Sequence, residues 1–118
     1  MKKIIVYSYP KCSTCRKALK WLDQNNINYH LIDIIKETPS KNILELALKQ
    51  FSLDIKKIFN TRGKSYKLID MDILNLPKEK IIELLSNDGR LIKRPFLIIN
   101  ESKLLLGFNE SEYITNLK

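Results

Sequence analysis

Apolar residues follow two different periods along the chain, and these periods predict strands and helices. Residues 4–8 form an apolar run rich in β-branched side chains, which is typical of a buried strand. Residues 13–24 carry apolar side chains at helical spacing, with lysines and an aspartate on the opposite face. Residues 29–35 predict a second strand. Two strands joined by one helix should lie parallel, with a right-handed crossover.

The middle of the chain has a helical period and recognisable helix boundaries. A helix is predicted to open at residues 38–40, where Pro39 is tolerated in the first turn. Asp54 is placed to cap a further short helix that stops near Gly63. Pro77 opens another helix, for which Gly89 is the predicted C-terminal stop.

The C-terminal part predicts a hairpin followed by a helix. Residues 96–100 and 103–106 have strand patterns and are separated by a two-residue turn. Asn109 and Glu112 have capping-box spacing, with Asn in place of the usual Ser or Thr, ahead of a short final helix.

The order of these elements predicts a fold class. It is βαβ, then a helical segment, a β-hairpin and a last helix, which is the order of a thioredoxin-like α/β fold. We therefore expect a four-stranded mixed sheet. We also expect residues 1–118 to form a single domain with a helical insertion at about 38–90.

Length and composition limit the class of protein. The chain has 118 residues, of which 44% are hydrophobic, and a chain of this size buries a core of its own. Its apolar runs fall short of the roughly 20 residues that span a bilayer. The N-terminal run is too short for a signal peptide. The sequence therefore predicts a cytoplasmic protein with no membrane partner.

The formal charge of +8 favours anionic partners. However, the lysines are scattered from Lys2 to Lys118, and they form no stripe with interleaved aromatic residues. A lysine-rich solvated surface explains the charge as well as any binding role does. No nucleic-acid-binding motif is recognisable, so direct binding of nucleic acid is not expected.

Cys12 and Cys15 are the main candidates for chemistry. They are separated by two residues at the predicted start of the first helix, where both sulfurs lie on one face. Cys12 falls at about the N-cap, near unpaired backbone N–H groups, and Lys11 and Arg16 add positive charge. These features favour the thiolate, which is the attacking form. Cys15, one turn deeper, is then the natural resolving thiol.

Metal binding and a purely structural role are the alternatives for this cysteine pair. A zinc site needs about four ligands, and the chain offers two cysteines and His30, so no metal is expected. Two inert buried thiols would fill the structural role, since Cys often serves as a small hydrophobic residue. The spacing, the helix start and the βαβ frame together favour redox chemistry.

Basic residues elsewhere are candidates for the same site. Arg94 and Pro95 immediately precede the predicted strand 96–100. Proline suits the first residue of a strand, but in thioredoxin-like folds a proline here is commonly cis and lies against the nucleophilic cysteine. Arg94 would then bind an oxyanion beside the sulfur. Arg62 is either a second such ligand or a residue that satisfies helix-end carbonyls.

With these residues in place, the chain resembles the glutaredoxin-linked arsenate reductase family and its Spx branch. The resemblance extends from Ile4 to Tyr113. It rests on four motifs in order: 9–18 (YPKCSTCRKA), 58–63 (IFNTRG), 91–95 (LIKRP) and 106–110 (LGFNE).

The resemblance implies an activity and partners. Cys12 would attack arsenate, and Arg62 and Arg94 would hold the oxyanion, with Lys11 and Arg16 adding charge. The substrate would be a small oxyanion or a disulfide. No bound cofactor is implied, and glutathione with glutaredoxin, or thioredoxin, would act as the thiol reductant.

Two departures from the reductase pattern point to the Spx branch and to a group of reductase-like relatives. Gly107 occupies about the place of a third site arginine, and Cys15 supplies a second cysteine. In Spx the CxxC is a disulfide switch, and the protein contacts the C-terminal domain of the α subunit in RNA polymerase. No glycine stands near Phe51 and Ser52, where Spx uses one, and the chain ends at Lys118 with no basic extension. We therefore place the chain among the reductase-like relatives.

Overall fold

The computed structural model describes residues 2–118, which contain four β-strands and five α-helices. In chain order they are β1 (Ile4–Ser8), α1 (Ser13–Gln24), β2 (His30–Asp33), α2 (Lys41–Gln50), α3 (Lys64–Lys67), α4 (Lys78–Asn87), β3 (Phe96–Ile99), β4 (Lys103–Leu106) and α5 (Glu110–Leu117). These elements form two compact units. The first contains the chain up to Asp33 and again Arg94–Lys118, and the second is Ile34–Lys93.

The first unit is built on a sheet in the order β2-β1-β3-β4. β1 pairs in parallel with β2, whereas β3 pairs antiparallel with both β1 and β4. The predicted mixed four-stranded sheet is therefore confirmed. In the β1–β3 ladder Tyr7 lies opposite Phe96, so the end of β1 and the start of β3 meet at the same edge of the sheet.

A hydrophobic core between the sheet and its helices holds α1 in place. Val6 and Leu97 from the sheet pack with Leu22 of α1 and Tyr113 of α5, and all four are fully buried. Complete burial of such side chains stabilises the fold by roughly 1.5–3 kcal/mol each. The core therefore fixes the position of α1, which carries the cysteine pair at its start.

The hairpin and the last helix form where the sequence predicts them, but β3 ends at Ile99 and not at Asn100, so the turn has three residues and not two. Asn100 and Glu101 have φ values of 51° and 56°, which is the geometry of a tight hairpin turn. The Asn109 side chain accepts a hydrogen bond from the Glu112 amide at 3.0 Å. The predicted cap of α5 is confirmed.

The second unit is helical, and it differs from the sequence-based predictions at two places. The Asp54 side chain makes no capping hydrogen bond, and only a short 3₁₀ turn, Ile55–Ile58, follows it. Gly63 precedes α3 and does not end a helix. Phe59 is instead extended and bridges Ile92. Backbone pairing therefore replaces the longer helix that the apolar spacing predicted.

The prediction that Gly89 ends the helix opened by Pro77 is also wrong. α4 ends at Asn87, the following Asp88 is extended, and Gly89 begins a 3₁₀ turn, Gly89–Leu91. Gly89 is buried, and a Cβ atom there would collide with the backbone carbonyl of Ile34. The residue is glycine because another stretch of backbone passes too close for a side chain, and not because it ends the helix.

Two further observations concern the chain as a whole. Among residues 2–118, no helix is both long enough and apolar enough to cross a membrane. The single domain over residues 1–118, with an insertion at about 38–90, stays a prediction.

Candidate active site

Cys12 is the N-cap residue of α1, as the sequence predicts. Its backbone is extended, with φ −93° and ψ 114°, and its carbonyl accepts the Arg16 amide at 3.1 Å. Its sulfur accepts a hydrogen bond from the Cys15 amide at 3.2 Å. This amide is one of the donors that a helix start leaves without an intrahelical partner. The half-buried sulfur of Cys12 therefore lies where backbone N–H groups stabilise negative charge.

Cys15 lies beneath it, with only 1% of its surface exposed. Burial raises the pKa of the Cys15 thiol to about 11, and its hydrogen bond to Cys12 and the charge of Cys12 act in the same direction. The Tyr9 backbone and the Ser8 side chain act in the opposite direction. Both cysteines are free thiols in this structure. One sulfur is therefore accessible and the other is kept protonated below it.

Arg94 has a buried, unpaired donor, which is a feature suited to binding an anion. Its guanidinium carbon lies 5.0 Å from the centre of the Tyr9 ring. Its Nη1 atom is buried and has no hydrogen-bond partner among the described residues. An unpaired buried donor costs about 1–3 kcal/mol, so an incoming oxygen anion would remove a penalty as well as form a contact. The following peptide bond, to the buried Pro95, is cis.

The other predicted site residues take different positions. Arg16 donates from Nη1 to the Pro10 carbonyl at 2.9 Å, which ties its side chain to the turn before Cys12. Lys11 is exposed in the same turn. Arg62 is exposed in the second unit. The roles of these three residues at the sulfur stay predictions.

Gly107 has a physical reason to be glycine. It is buried with φ 75°, a backbone conformation that disfavours side chains. Its amide donates to the Pro95 carbonyl at 2.9 Å, so the residue holds the segment that precedes β3. An arginine at this place would strain that segment.

Within residues 2–118, no three His, Cys, Asp or Glu side chains are grouped so as to hold a metal ion. His30 is exposed on β2. The structure brings together two sulfurs and the backbone amide of Cys15, and the role of Arg94 beside them stays a prediction.

Tyr9 and Ser8 are site residues to which the sequence analysis gave no role. Ser8 is a buried polar residue, 6% exposed, at the end of β1. The Tyr9 carbonyl accepts the Cys12 amide at 3.0 Å. Their position directly before the cysteine loop was the available signal, but a ring contact to Arg94 is visible only once β1 and β3 are paired.

The different environments of the two sulfurs predict selective alkylation. At pH 7 we expect iodoacetamide to modify Cys12 about 100-fold faster than Cys15, because a thiol with a pKa of about 11 is almost wholly protonated there. Raising the pH toward 11 should speed modification of Cys15, since its thiolate fraction grows. Peptide mass spectrometry over time measures both rates. Equal rates of modification at pH 7 would contradict the assignment of Cys12 as the reactive thiol and Cys15 as the protonated one.

Comparison with known proteins places this chain in a wider group. The model of the ArsC family matches residues 7–116. Protein YusI of Bacillus subtilis is 39% identical over 112 residues, which cover 93% of this chain and 94% of YusI. The global transcriptional regulator Spx of Listeria innocua is 32% identical, over 92% of this chain and 82% of Spx. The crystal structure of a possible arsenate reductase from Streptococcus mutans superposes with a TM-score of 0.88 and 35% identity, over 98% of this chain and 99% of that one.

Proposed function

The chain belongs to the ArsC family, and on that premise we propose that it is a cytoplasmic thiol reductase with Cys12 as nucleophile and Cys15 as resolving thiol. The observation that carries the proposal is the hydrogen bond from the Cys15 amide to the Cys12 sulfur, at 3.2 Å. It stabilises the attacking thiolate and keeps the two cysteines in contact.

The reaction with a disulfide follows from this arrangement. The Cys12 thiolate attacks one sulfur of the substrate, the substrate S–S bond breaks, and the released thiolate takes up a proton. Cys15 then loses its proton and attacks the Cys12 sulfur. An internal Cys12–Cys15 disulfide forms and the second substrate thiol leaves. Two electrons from reduced thioredoxin, or from glutathione with glutaredoxin, return both cysteines to thiols.

The deprotonation of Cys15 is coupled to the first step. Part of the rise in the pKa of Cys15 comes from its hydrogen bond to Cys12 and from the charge on Cys12, after the larger effect of burial. Once Cys12 is bonded to substrate, its sulfur carries no charge, so this part of the rise is lost. Attack by Cys15 is therefore favoured after the mixed disulfide has formed.

Arsenate is the alternative substrate of the same site. The Cys12 thiolate adds to arsenic(V), and one arsenate hydroxyl takes up a proton from solvent and leaves as water. Attack of Cys15 on the Cys12 sulfur then releases arsenite, with arsenic reduced by two electrons and the cysteine pair oxidised. The buried Nη1 of Arg94 supports binding of the oxyanion. We propose Arg62 as a second ligand on the basis of its motif, with Lys11 and Arg16 adding positive charge.

A coupled turnover assay tests the proposal. Arsenate and a glutathionylated peptide are offered separately, each with glutathione and glutaredoxin or with thioredoxin and its reductase, while NADPH consumption is followed. We expect turnover of at least one substrate. If neither is reduced with either donor, the enzymatic proposal is wrong.

A second candidate function is a redox-switched regulator. Its specific support is the 32% identity to a protein named global transcriptional regulator Spx, together with the two adjacent thiols. In this proposal oxidation joins Cys12 to Cys15, and one redox state binds the C-terminal domain of the RNA polymerase α subunit.

A pull-down with the isolated α C-terminal domain decides this candidate. Oxidised and reduced protein are compared, and a Cys15→Ser variant that cannot form the internal disulfide serves as the matched control. Binding that differs between the two states of the wild type, and does not change in the variant, supports the switch. Absence of binding in both states rules it out.

A further inference from the structure

We propose that Tyr9 is a positioning residue that orients the Arg94 guanidinium for anionic substrates and so sets the preference of Cys12 for them. The inference rests on the proposed function, because it assigns the residue that prepares that site for its substrate. It is carried by the contact of the Tyr9 ring with Arg94 and by the free Nη1 donor.

Tyr9 connects the parts of the site through both its backbone and its ring. Its carbonyl accepts the Cys12 amide at 3.0 Å, and its ring centre lies 5.0 Å from the Arg94 guanidinium carbon. β1 and β3 run antiparallel with Tyr7 opposite Phe96. Tyr9 and Arg94, two residues beyond that pair on each chain segment, therefore lie side by side where the cysteine loop leaves the sheet.

The ring contact holds the guanidinium without using its hydrogen-bonding capacity. A cation over an aromatic face is attracted by the ring's electrons. A carboxylate partner would instead occupy the donors of the guanidinium fork. No such contact occupies Nη1, which is buried without a hydrogen-bond partner among the described residues. The Nη1 donor of Arg94 is thus available to a ligand.

Preorganisation explains why this arrangement helps binding. A long arginine side chain loses rotamer freedom when it is fixed, and this loss of conformational entropy opposes binding. The Tyr9 ring and the buried surroundings of Nη1 fix it before the ligand arrives. A substrate with an anionic group next to its electrophilic centre gains most from this, whereas a neutral substrate gains nothing.

Two alkylating reagents that differ in charge, one anionic and one neutral, test the inference. Iodoacetate and iodoacetamide both transfer carbon to the Cys12 sulfur with loss of iodide, but only iodoacetate carries a carboxylate. The ratio of the two rates, iodoacetate over iodoacetamide, is measured for Cys12 in a Cys15→Ser background. For Tyr9→Leu we expect this ratio to fall about fivefold, and for Arg94→Ala at least as far. Tyr9→Phe keeps the ring, so its ratio should stay within about twofold of the parent.

If Tyr9 had only a structural role, its replacement would change the rates of alkylation by both reagents to the same extent and leave their ratio constant. A constant ratio in Tyr9→Leu, or an equal fall in Tyr9→Phe, overturns the inference. If Tyr9→Leu does not fold, as judged by circular dichroism, Tyr9→Gln takes its place with the same expected fall. The measurement needs no turnover, so failure of the reductase proposal would show only in the coupled assay.

Discussion

Replacement of Cys12 by serine is expected to abolish reductase turnover, with a loss of at least about a thousandfold. A hydroxyl at this N-cap still accepts the Cys15 amide, so the helix start is preserved. It is a poor nucleophile at neutral pH and forms no disulfide. Cys15 cannot take over, because it is 1% exposed and its pKa is raised to about 11.

Cys15→Ser is the matched variant for this experiment. It retains the attacking sulfur and removes the resolving one, so the reaction should stop at the mixed disulfide. Incubation with a glutathionylated peptide should then yield an adduct on Cys12, detected by intact mass spectrometry and removed by dithiothreitol. The same treatment of Cys12→Ser should yield none. Turnover retained by Cys12→Ser would refute the assignment of the nucleophile.

Gly89→Ala is expected to lower the free energy of unfolding by about 3 kcal/mol. The added Cβ would overlap the Ile34 carbonyl oxygen and lie 2.8 Å from its carbon. Both are backbone atoms and cannot move aside by a change of rotamer. Relief requires displacement of the segment around Ile34 or of the turn Gly89–Leu91. Urea denaturation followed by circular dichroism measures the change.

Gly63→Ala provides the control. Its backbone φ is −78°, which any residue adopts, and the nearest atom to an added Cβ is the Asn60 side-chain nitrogen at 2.6 Å. That side chain can rotate away, at the expense of a long hydrogen bond to the Arg90 carbonyl at 3.4 Å. We expect a loss below about 1 kcal/mol. Similar losses in the free energy of unfolding for the two variants would show that the close approach of Gly89 to the Ile34 backbone does not determine the cost of a side chain there.

The family match confirms the resemblance derived from the sequence motifs. It also agrees with the mixed interpretation of function, because the relatives include both a possible arsenate reductase and a transcriptional regulator. The assignment of roles to individual site residues stays a prediction that the experiments above test.

Predictions that depend on neighbouring residues were the accurate ones. α1 begins and ends where the sequence predicts, at Ser13–Gln24, because the N-cap residue and the asparagines at 25 and 26 each act within a few residues of a helix end. The cap at Asn109 has the same origin, and Ser40 caps α2 at the end of the predicted opening 38–40, so Pro39 precedes the helix and does not lie in its first turn. The second strand was predicted over 29–35 and is shorter, His30–Asp33, since pairing with β1 decides where a strand ends.

Predictions failed where a distant segment determines the local structure. Asp54 has the residue type of a cap, but Phe59 is drawn into pairing with Ile92 and no longer helix forms. Gly89 has the residue type of a helix stop, but its constraint is the backbone at Ile34. Neither contact leaves a pattern within the surrounding ten residues.

Periodicity along the chain was enough to predict the order of elements, and spacing within the first helix was enough to predict Cys12 at the N-cap with Cys15 one turn deeper. The contact of Arg94 with Tyr9, and the unpaired buried donor of Arg94, became visible only in the folded protein. That juxtaposition arises from the antiparallel register of β1 and β3, which joins residues more than eighty positions apart in the chain. Local spacing carries no information about such a register, since it depends on packing of the whole sheet.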